Sequence, residues 1–216
     1  MQAHLKSIPV LEGLQEAEMS ELLERAVVRN VPKNAIVVNE GDRTDSLYVI
    51  LSGKVKVYLG DASGKELILD IKGPGSYFGE MVLDEGPRSA SVMTMEPSQF
   101  AVISGTDFKS FLLKHPKIAL HVITNLIRLA RGLNENVKSL AMLDVYGRVA
   151  RMLLDLAVKQ DGHLVIPEKL TQKEMANRVG ASREMINRIL RDLTIGGYIK
   201  IESGRITIHK TPPPRW

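Results

Sequence analysis

Between residues 26 and 103 the apolar positions fall in short, β-branched runs: VVRNV, AIVV, SLYVIL, KVKVYL, ELILDI, SASVMTM and FAVI. Turn-forming stretches separate them: PKN, EGD, SGK, GDASGK and KGPGS. Short runs punctuated by Gly, Asn and Asp read as antiparallel strands. The stretch is therefore predicted to be a double-layered barrel or jelly roll. Ahead of it, Glu16 to Arg25 carries Met19, Leu22, Leu23 and Ala26 at helical spacing, which predicts a packing helix. Behind it, Gly105 to Lys114 predicts a short helix. Lys117 to Leu143 predicts a long one, opened by Pro116 and ended by Asp144.

In heptads, the long helix puts Ala119, Leu126, Leu133 and Leu140 on one row and Val122, Leu129, Asn136 and Leu143 on the other. This spacing predicts a parallel homodimer with Val122, Leu126, Leu129, Leu133, Asn136 and Leu140 in the seam. The flanking Ile123, Ile127, Ala130 and Val137 are expected to hold the helix on its own sheet. An amphipathic helix packed only on its own domain is the alternative. Gly132 is out of place in a helix interior, costing about 1 kcal/mol against Ala, and suggests close approach to the backbone there.

After the long helix, Val145 to Gln160 is amphipathic through Val149, Met152, Leu153, Leu156 and Ala157, and HLVIP reads as a short strand. Then comes LTQKEMANRVGASREMINRILRDLTIGGYIKIESGRITIHK. Thr171 with Glu174 three residues later predicts a capping box, Val179-Gly180-Ala181 a tight turn, and Ser182 the cap of a second helix. Ile186, Ile189, Leu190 and Leu193 would face inward on that helix, leaving Arg183, Glu184, Asn187 and Arg188 outward. Gly196-Gly197 ends it, and a strand pair around Gly204 follows. The order predicts a winged helix-turn-helix, with a merely solvated helical interaction domain as the alternative. Lys173 and Ser182, at the helix starts, are placed to hold phosphates.

Charge supports this reading. From Val145 onward there are 13 Lys and Arg against 7 Asp and Glu, a balance of +6, whereas residues 1 to 144 carry −2. A basic C-terminal part suits a nucleic-acid partner. With no Cys, disulfides, thiolate metal sites and cysteine-ligated iron–sulfur clusters are excluded. No apolar run reaches the roughly 20 residues of a membrane span, and the first residues lack the features of a secretory signal. The cytoplasm, with no membrane partner, is the expected location.

Ser76 to Val92, SYFGEMVLDEGPRSASV, breaks the strand rhythm. A Gly-Glu pair there opens a single helical turn, and GPRSA follows. Gly79 permits close backbone approach, Arg88 can pair with a phosphate, Ser89 can donate a hydroxyl, and Glu80 can accept from a sugar hydroxyl. By residue type alone, a structural ion pair capping a loop fits equally.

FGEMVLDEGPRSASV resembles the phosphate-binding cassette of cyclic-nucleotide-binding domains, and LTQKEMANRVGASREMINRILRDL resembles the DNA-reading motif of the Crp–Fnr family. The resemblance covers nearly the whole chain except the end, TPPPRW. It implies an α+β fold of three parts: a β-roll sensor over residues 1–116, a dimerisation helix and hinge over 117–144, and a winged helix-turn-helix over 145–216. It further implies that Gly79 and Glu80 contact ribose, while Arg88, Ser89 and the Ala90 backbone contact a cyclic phosphate. The spacing from Glu80 to Arg88 is shorter than in cyclic-AMP-reading members. Leu133 and Asn134 stand where those members read adenine with a Thr-Ser pair.

The implied function is ligand-gated transcription regulation without a resident cofactor, the effector being cyclic AMP or a related cyclic nucleotide. The implied partners are double-stranded DNA, a second copy of the chain and RNA polymerase. The implied DNA contacts are Thr171, Lys173, Ser182, Arg183, Glu184, Asn187 and Arg188, with an operator resembling the palindrome TGTGA-N6-TCACA. Cyclic di-GMP, haem or no effector are alternatives within the family. A metal-dependent β-barrel enzyme is the rival class. It needs histidines or carboxylates converging inside the barrel, and His4, His115, His121, His163 and His209 all lie outside the strand segment, so an enzyme is not expected.

Overall fold

The computed structural model describes residues 24–213 apart from 85 and 161, together with residues 18, 21 and 22. Eight strands come first: β1 (Val27–Val31), β2 (Ile36–Val38), β3 (Ser46–Ser52), β4 (Val55–Gly60), β5 (Glu66–Lys72), β6 (Tyr77–Phe78), β7 (Ser91–Thr94) and β8 (Ser98–Ser104). They form two four-stranded sheets, ordered β1-β8-β3-β6 and β2-β7-β4-β5. The β-roll expectation is met.

The register of β3 on β8 pairs Tyr48 with Val102 and Ile50 with Phe100. Alternation along these strands sends Ile50 and Phe100 inward, where both are fully buried. Tyr48 stacks on Phe78 at 4.8 Å, and Phe100 meets Phe78 edge-on at 5.6 Å. Offset and edge-on aromatic contacts of this kind stabilise by about 1 kcal/mol beyond area burial. Leu22, from the predicted N-terminal helix, is buried in the roll core, whereas its companions Met19 and Leu23 lie outside the described residues.

Helix α1 (Gly105–Lys114) is capped by Ser104, whose side chain accepts from the Asp107 amide. Helix α2 (Pro116–Met142) is the long one. Burial corrects the first part of its predicted seam, Val122 and Leu126. Ile118 and Val122 are buried in the roll core and Leu126 packs against it, so this row faces the chain's own sheets. The residues assigned to that job are instead uncovered: Ile123 is 51% and Ile127 48% exposed, against 4% for Val122. Leu133, Asn136 and Leu140 are exposed. The reason is that α2 carries apolar rows on two faces, and heptad counting fits either. Among the described residues outside its own helical turn, Gly132 has no atom within 4 Å of where a Cβ would sit.

The remaining elements are α3 (Val145–Leu156), β9 (Val158–Gln160), β10 (His163–Ile166), α4 (Gln172–Val179), α5 (Arg183–Ile195), β11 (Ile199–Glu202) and β12 (Arg205–Ile208). Asp144 caps α3, accepting from the Gly147 amide at 2.7 Å. The amphipathic stretch predicted to run to Gln160 stops at Leu156. Val158 instead pairs with Val165 across a hairpin, turned at Gly162 with φ +81°. The sheet order is β11-β12-β10-β9. Val149, Leu153, Ile186, Leu193, Ile199 and Ile206 share its core with α3 and α5.

The chain forms two compact units: residues 1–60 with 69–131, and residues 61–68 with 132–216. The division falls inside α2, where the sequence had suggested breaks at its two ends, and the turn between β4 and β5 belongs with the second unit. Removing a buried aliphatic side chain from the inward row of α2 must leave a cavity. Ile118→Ala should therefore lower stability by about 2–5 kcal/mol in urea denaturation, and a loss below about 1 kcal/mol would show that this row does not face the roll.

Candidate ligand pocket and nucleic-acid interface

The Gly-Glu pair opens a 3-10 turn, Glu80–Leu83, as expected. Gly79 sits at φ +90°, and a Cβ there would come within 2.7 Å of the Ser46 carbonyl and 2.8 Å of Arg88 Nη1. Both the backbone angle and the space demand glycine. The close approach is made by the protein itself.

Arg88 is the other half of that arrangement. Only 4% exposed, its guanidinium donates from Nε to Thr44 Oγ1 at 2.7 Å, from Nη1 to the Gly79 carbonyl at 2.8 Å, and from Nη2 to the Ser46 carbonyl at 2.6 Å. Its backbone is pinned as well, the amide donating to the Asp42 carbonyl and the carbonyl accepting from Gly41. Burial pushes the guanidinium down from its ordinary value, while Tyr48, Glu80 and Asp45 nearby hold it up. Of five N–H donors, three are thus committed to the protein, and Arg88 ties the cassette to the start of β3. Ser89 is exposed and Ala90 half-buried.

A cavity of ≈ 250 Å³ lies beside the cassette, lined by Asp70, Lys72, Ser76, Tyr77 and Glu80 from the roll and by Asn125, Leu126 and Leu129 from α2. Glu80 is the one predicted ligand residue on its wall. Leu129 and Leu126, placed in the dimer seam by sequence, line the cavity instead, and Leu133 and Asn134 do not. Burial pushes the Tyr77 hydroxyl up, a hydrogen bond with Asn125 pulls it down, and the Glu80 charge raises it. Lys72 and Asp70 form an ion pair at 3.2 Å. Sequence reading missed Asp70, Lys72, Tyr77 and Asn125. The available signal was a pair of charges at alternate positions, Asp70 and Lys72, following the apolar run Leu67–Leu69 in the strand ELILDIK.

In the second unit, the capping box is complete. The Thr171 hydroxyl accepts from the Glu174 amide at 3.1 Å, and Glu174 Oε2 accepts from the Thr171 amide at 2.8 Å. Gly180 ends α4 at φ +66°, and Ser182 caps α5. Ile186, Ile189, Leu190 and Leu193 are buried, leaving Arg183, Glu184, Asn187 and Arg188 exposed along one face, as predicted. Lys173 is exposed at the start of α4.

Two further side chains went unread: the exposed Arg191, which with Met185 lines the same concavity as Glu184, Asn187 and Arg188, and the half-buried Gln172 of α4, whose Nε2 donates to Asn187 Oδ1 at 3.1 Å. Glu184 is held below the usual carboxylate range by its own amide, then by the Ser182 hydroxyl and the Arg183 charge. It is therefore an anionic acceptor at neutral pH.

Arg148 was also missed. Its Nε donates to the Val179 carbonyl at 2.8 Å and its Nη1 to the Leu143 carbonyl at 3.0 Å. One guanidinium thus satisfies carbonyls left open at the ends of α4 and α2. The start of β5, with the turn before it, also belongs here, since Asn177 Nδ2 donates to Glu66 Oε2 at 3.0 Å and Leu67 lies against Gly180. Among the described residues there is no group of three or more His, Cys, Asp or Glu able to hold a metal, and no helix is long and apolar enough to cross a membrane.

Comparison with known proteins places both halves. Residues 28–115 match the model of the cyclic nucleotide-binding domain, and residues 147–212 that of the Crp-like helix-turn-helix domain. The chain is 34% identical over 204 residues to a CRP-like cAMP-activated global transcriptional regulator of Mycobacterium tuberculosis, covering 92% of this chain and 91% of that one. Among solved structures it resembles the c-di-GMP responsive global regulator CLP of Xanthomonas campestris, with TM-score 0.78, 25% identity, and 91% of this chain and all of that one covered. A CooA mutant from Carboxydothermus hydrogenoformans shares the fold at TM-score 0.81 and 22% identity, with 96% and 94% covered.

Two outcomes follow from this geometry. Arg88→Leu strands two half-buried carbonyls and removes a hydroxyl's partner, so it should lower stability by about 2 kcal/mol or more in the absence of any ligand. A ligand-free variant that melts like wild type would deny the structural tie. Arg148→Ala should cost about 2 kcal/mol, read as a lowered denaturation midpoint, and a midpoint unchanged from wild type would place those carbonyls in water.

Proposed function

Since the chain belongs to the Crp–Fnr family of transcription regulators, we propose that it is a homodimer that binds a cyclic nucleotide in the roll and reads a palindromic DNA site with paired α5 helices. The observation that carries the reading is the α5 face. Arg183, Glu184, Asn187 and Arg188 stand exposed in sequence order on a helix whose opposite side is anchored in the core. Arginine pairs with guanine O6 and N7, and an ionised Glu184 accepts from a cytosine amine. G·C pairs are the ones read, in a site of the TGTGA-N6-TCACA kind. Lys173 and the Ser182 cap fix the phosphates on either side. Thr171 sets the start of α4 and Asn187 adds a polar contact in the groove.

Pairing of two copies is supported by the outer row of α2. Leu120, Ile123, Ile127 and Val137 are about half exposed or more, and Ala130 and Asn134 complete a 3-and-4 spacing. This row replaces the one built on Val122, Leu126 and Leu129. Leu133 and Leu140, also exposed, flank it. Two readers on one dimer axis meet successive major grooves about 34 Å apart, so the symmetry of the protein dictates the symmetry of the site. RNA polymerase as partner and the cytoplasm as location follow from the regulator reading.

In the roll, Glu80 faces the ribose. The phosphate lies by Gly79, Ser89 and the Ala90 amide, and Arg88 offers the two N–H groups its protein partners leave over. The ligand signal is carried by β5. This strand bears Asp70 and Lys72 in the cavity and, a few residues earlier, Glu66 and Leu67 against α4 and Gly180. A ligand shifts the reader only by its different affinity for two arrangements, and a continuous strand gives those arrangements a common part.

Selection from random DNA followed by sequencing should return symmetric G·C positions, and Arg183→Ala should relax one of them by about 1–3 kcal/mol. An unaltered preference in the variant would remove Arg183 from base reading. Ile127→Asp should give monomers in light scattering and weaken operator binding. A dimer surviving that change would return the interface to the inner row.

A further inference from the structure

On the reading that the roll takes a cyclic nucleotide, we propose that its pocket selects a guanine base and that Asp70 and Lys72 on β5 do the selecting. The cavity has two polar walls. Glu80 belongs to the one formed by the cassette, next to Gly79, whose carbonyl Arg88 holds. Asp70 and Lys72 belong to β5. A nucleotide with its sugar and phosphate on the cassette presents its base to β5.

Residues two apart on a strand share a face, and the Asp70 carboxylate and Lys72 ammonium stand 3.2 Å apart. That is an acceptor pair beside a donor. Guanine's pairing edge is the complement: N1–H and an N2 amine hydrogen lie side by side, with the O6 acceptor next to them. One carboxylate takes both hydrogens, and the ammonium reaches O6. Adenine offers an amine donor beside the bare N1 acceptor, and the N1 lone pair would face a carboxylate oxygen. The pair thus favours one purine and opposes the other, and specificity commonly rests on both.

Placement supports a recognition role. Lys72 is 24% exposed and Asp70 44%, so the pair lies in a partly dry cleft, where its geometry counts for more than on an open surface. Across the cavity, the Asn125 amide is steadied by Tyr77. Leu126 and Leu129 supply apolar surface for a ring. Size narrows the class further. The ≈ 250 Å³ available lies near the lower end of the roughly 300–1,000 Å³ of drug-sized sites, a space on the scale of one nucleotide. The ligand class is therefore a guanine-bearing cyclic mononucleotide, even though the relative from Mycobacterium tuberculosis is described as cAMP-activated.

The test is calorimetry on the full-length protein with cyclic GMP, cyclic AMP and cyclic di-GMP as separate titrants, with thermal melting to check the fold of each variant. Cyclic GMP should bind at least about tenfold tighter than cyclic AMP, and Asp70→Asn should weaken cyclic GMP by about that factor and bring the two to parity. Lys72→Met should weaken cyclic GMP in the same direction. Equal or tighter binding of cyclic AMP, a preference untouched in Asp70→Asn, or tightest binding of cyclic di-GMP would each overturn the base assignment while leaving the roll a nucleotide sensor. If no cyclic nucleotide binds at all, the sensor reading of the roll fails with it.

Discussion

A helix cannot leave apolar surface on two opposite faces without two partners, and α2 is such a helix over 27 residues. Its inner row, Ile118, Val122 and Leu126, is committed to the roll. Its outer row, Leu120, Ile123, Ile127 and Val137, has no cover within the described chain. Fixing the inner row sets the rotation of the helix, which decides which side chains of α2 reach the ligand cavity. Asn125 and Leu129 point there because Val122 points into the core. The rotation leaves the outer row uncovered, so the cavity wall and the free apolar face are set by one packing decision.

Much of the architecture could be read from local chemistry. Capping boxes, turn glycines and the alternation of β-branched runs act over three or four residues, so Thr171, Gly180 and Ser182 marked their helices correctly. The exposed reader face, Arg183 to Arg188, followed from burial of Ile186 and Ile189. What escaped depends on contacts distant in sequence. The rows of α2 are equally periodic, and only the roll distinguishes them. The destination of Arg88 is set by the Ser46 carbonyl and the Thr44 hydroxyl, each more than forty residues away, and residue type alone had left phosphate clamp and structural tie equally open. Asp70 and Lys72 look like a solvated strand face until α2 is laid across them. The hairpin of β9 and β10 was hidden by helical-looking residues running up to its turn.

The cassette shows a division of labour between backbone and side chain. A buried guanidinium that lost its acceptors would carry a heavy desolvation cost, so Arg88 and the carbonyls of Gly79 and Ser46 hold each other in place. The backbone next to Glu80, which lines the cavity, is held by this arrangement, so any ligand taken there would meet an ordered loop. Such preorganisation lowers the ordering cost of binding. It also makes the cassette intolerant of small changes, as the crowding around Gly79 shows.

The turn between β4 and β5 has a different kind of consequence. Residues 61–68 are grouped with the DNA-reading part although the strand before them, β4, belongs wholly to the roll. The reader is therefore assembled from two separate stretches of chain. A gene fusion or recombination event with a single crossover near residue 132 would transplant α4 with Asn177 lacking its Glu66 partner and with no Leu67 beside Gly180. The two parts are modular in appearance but interlocked in ancestry: a reader exchanged between relatives must either bring its own turn or inherit one whose Glu and Leu happen to fit, and that requirement limits which chimeras of this fold can exist.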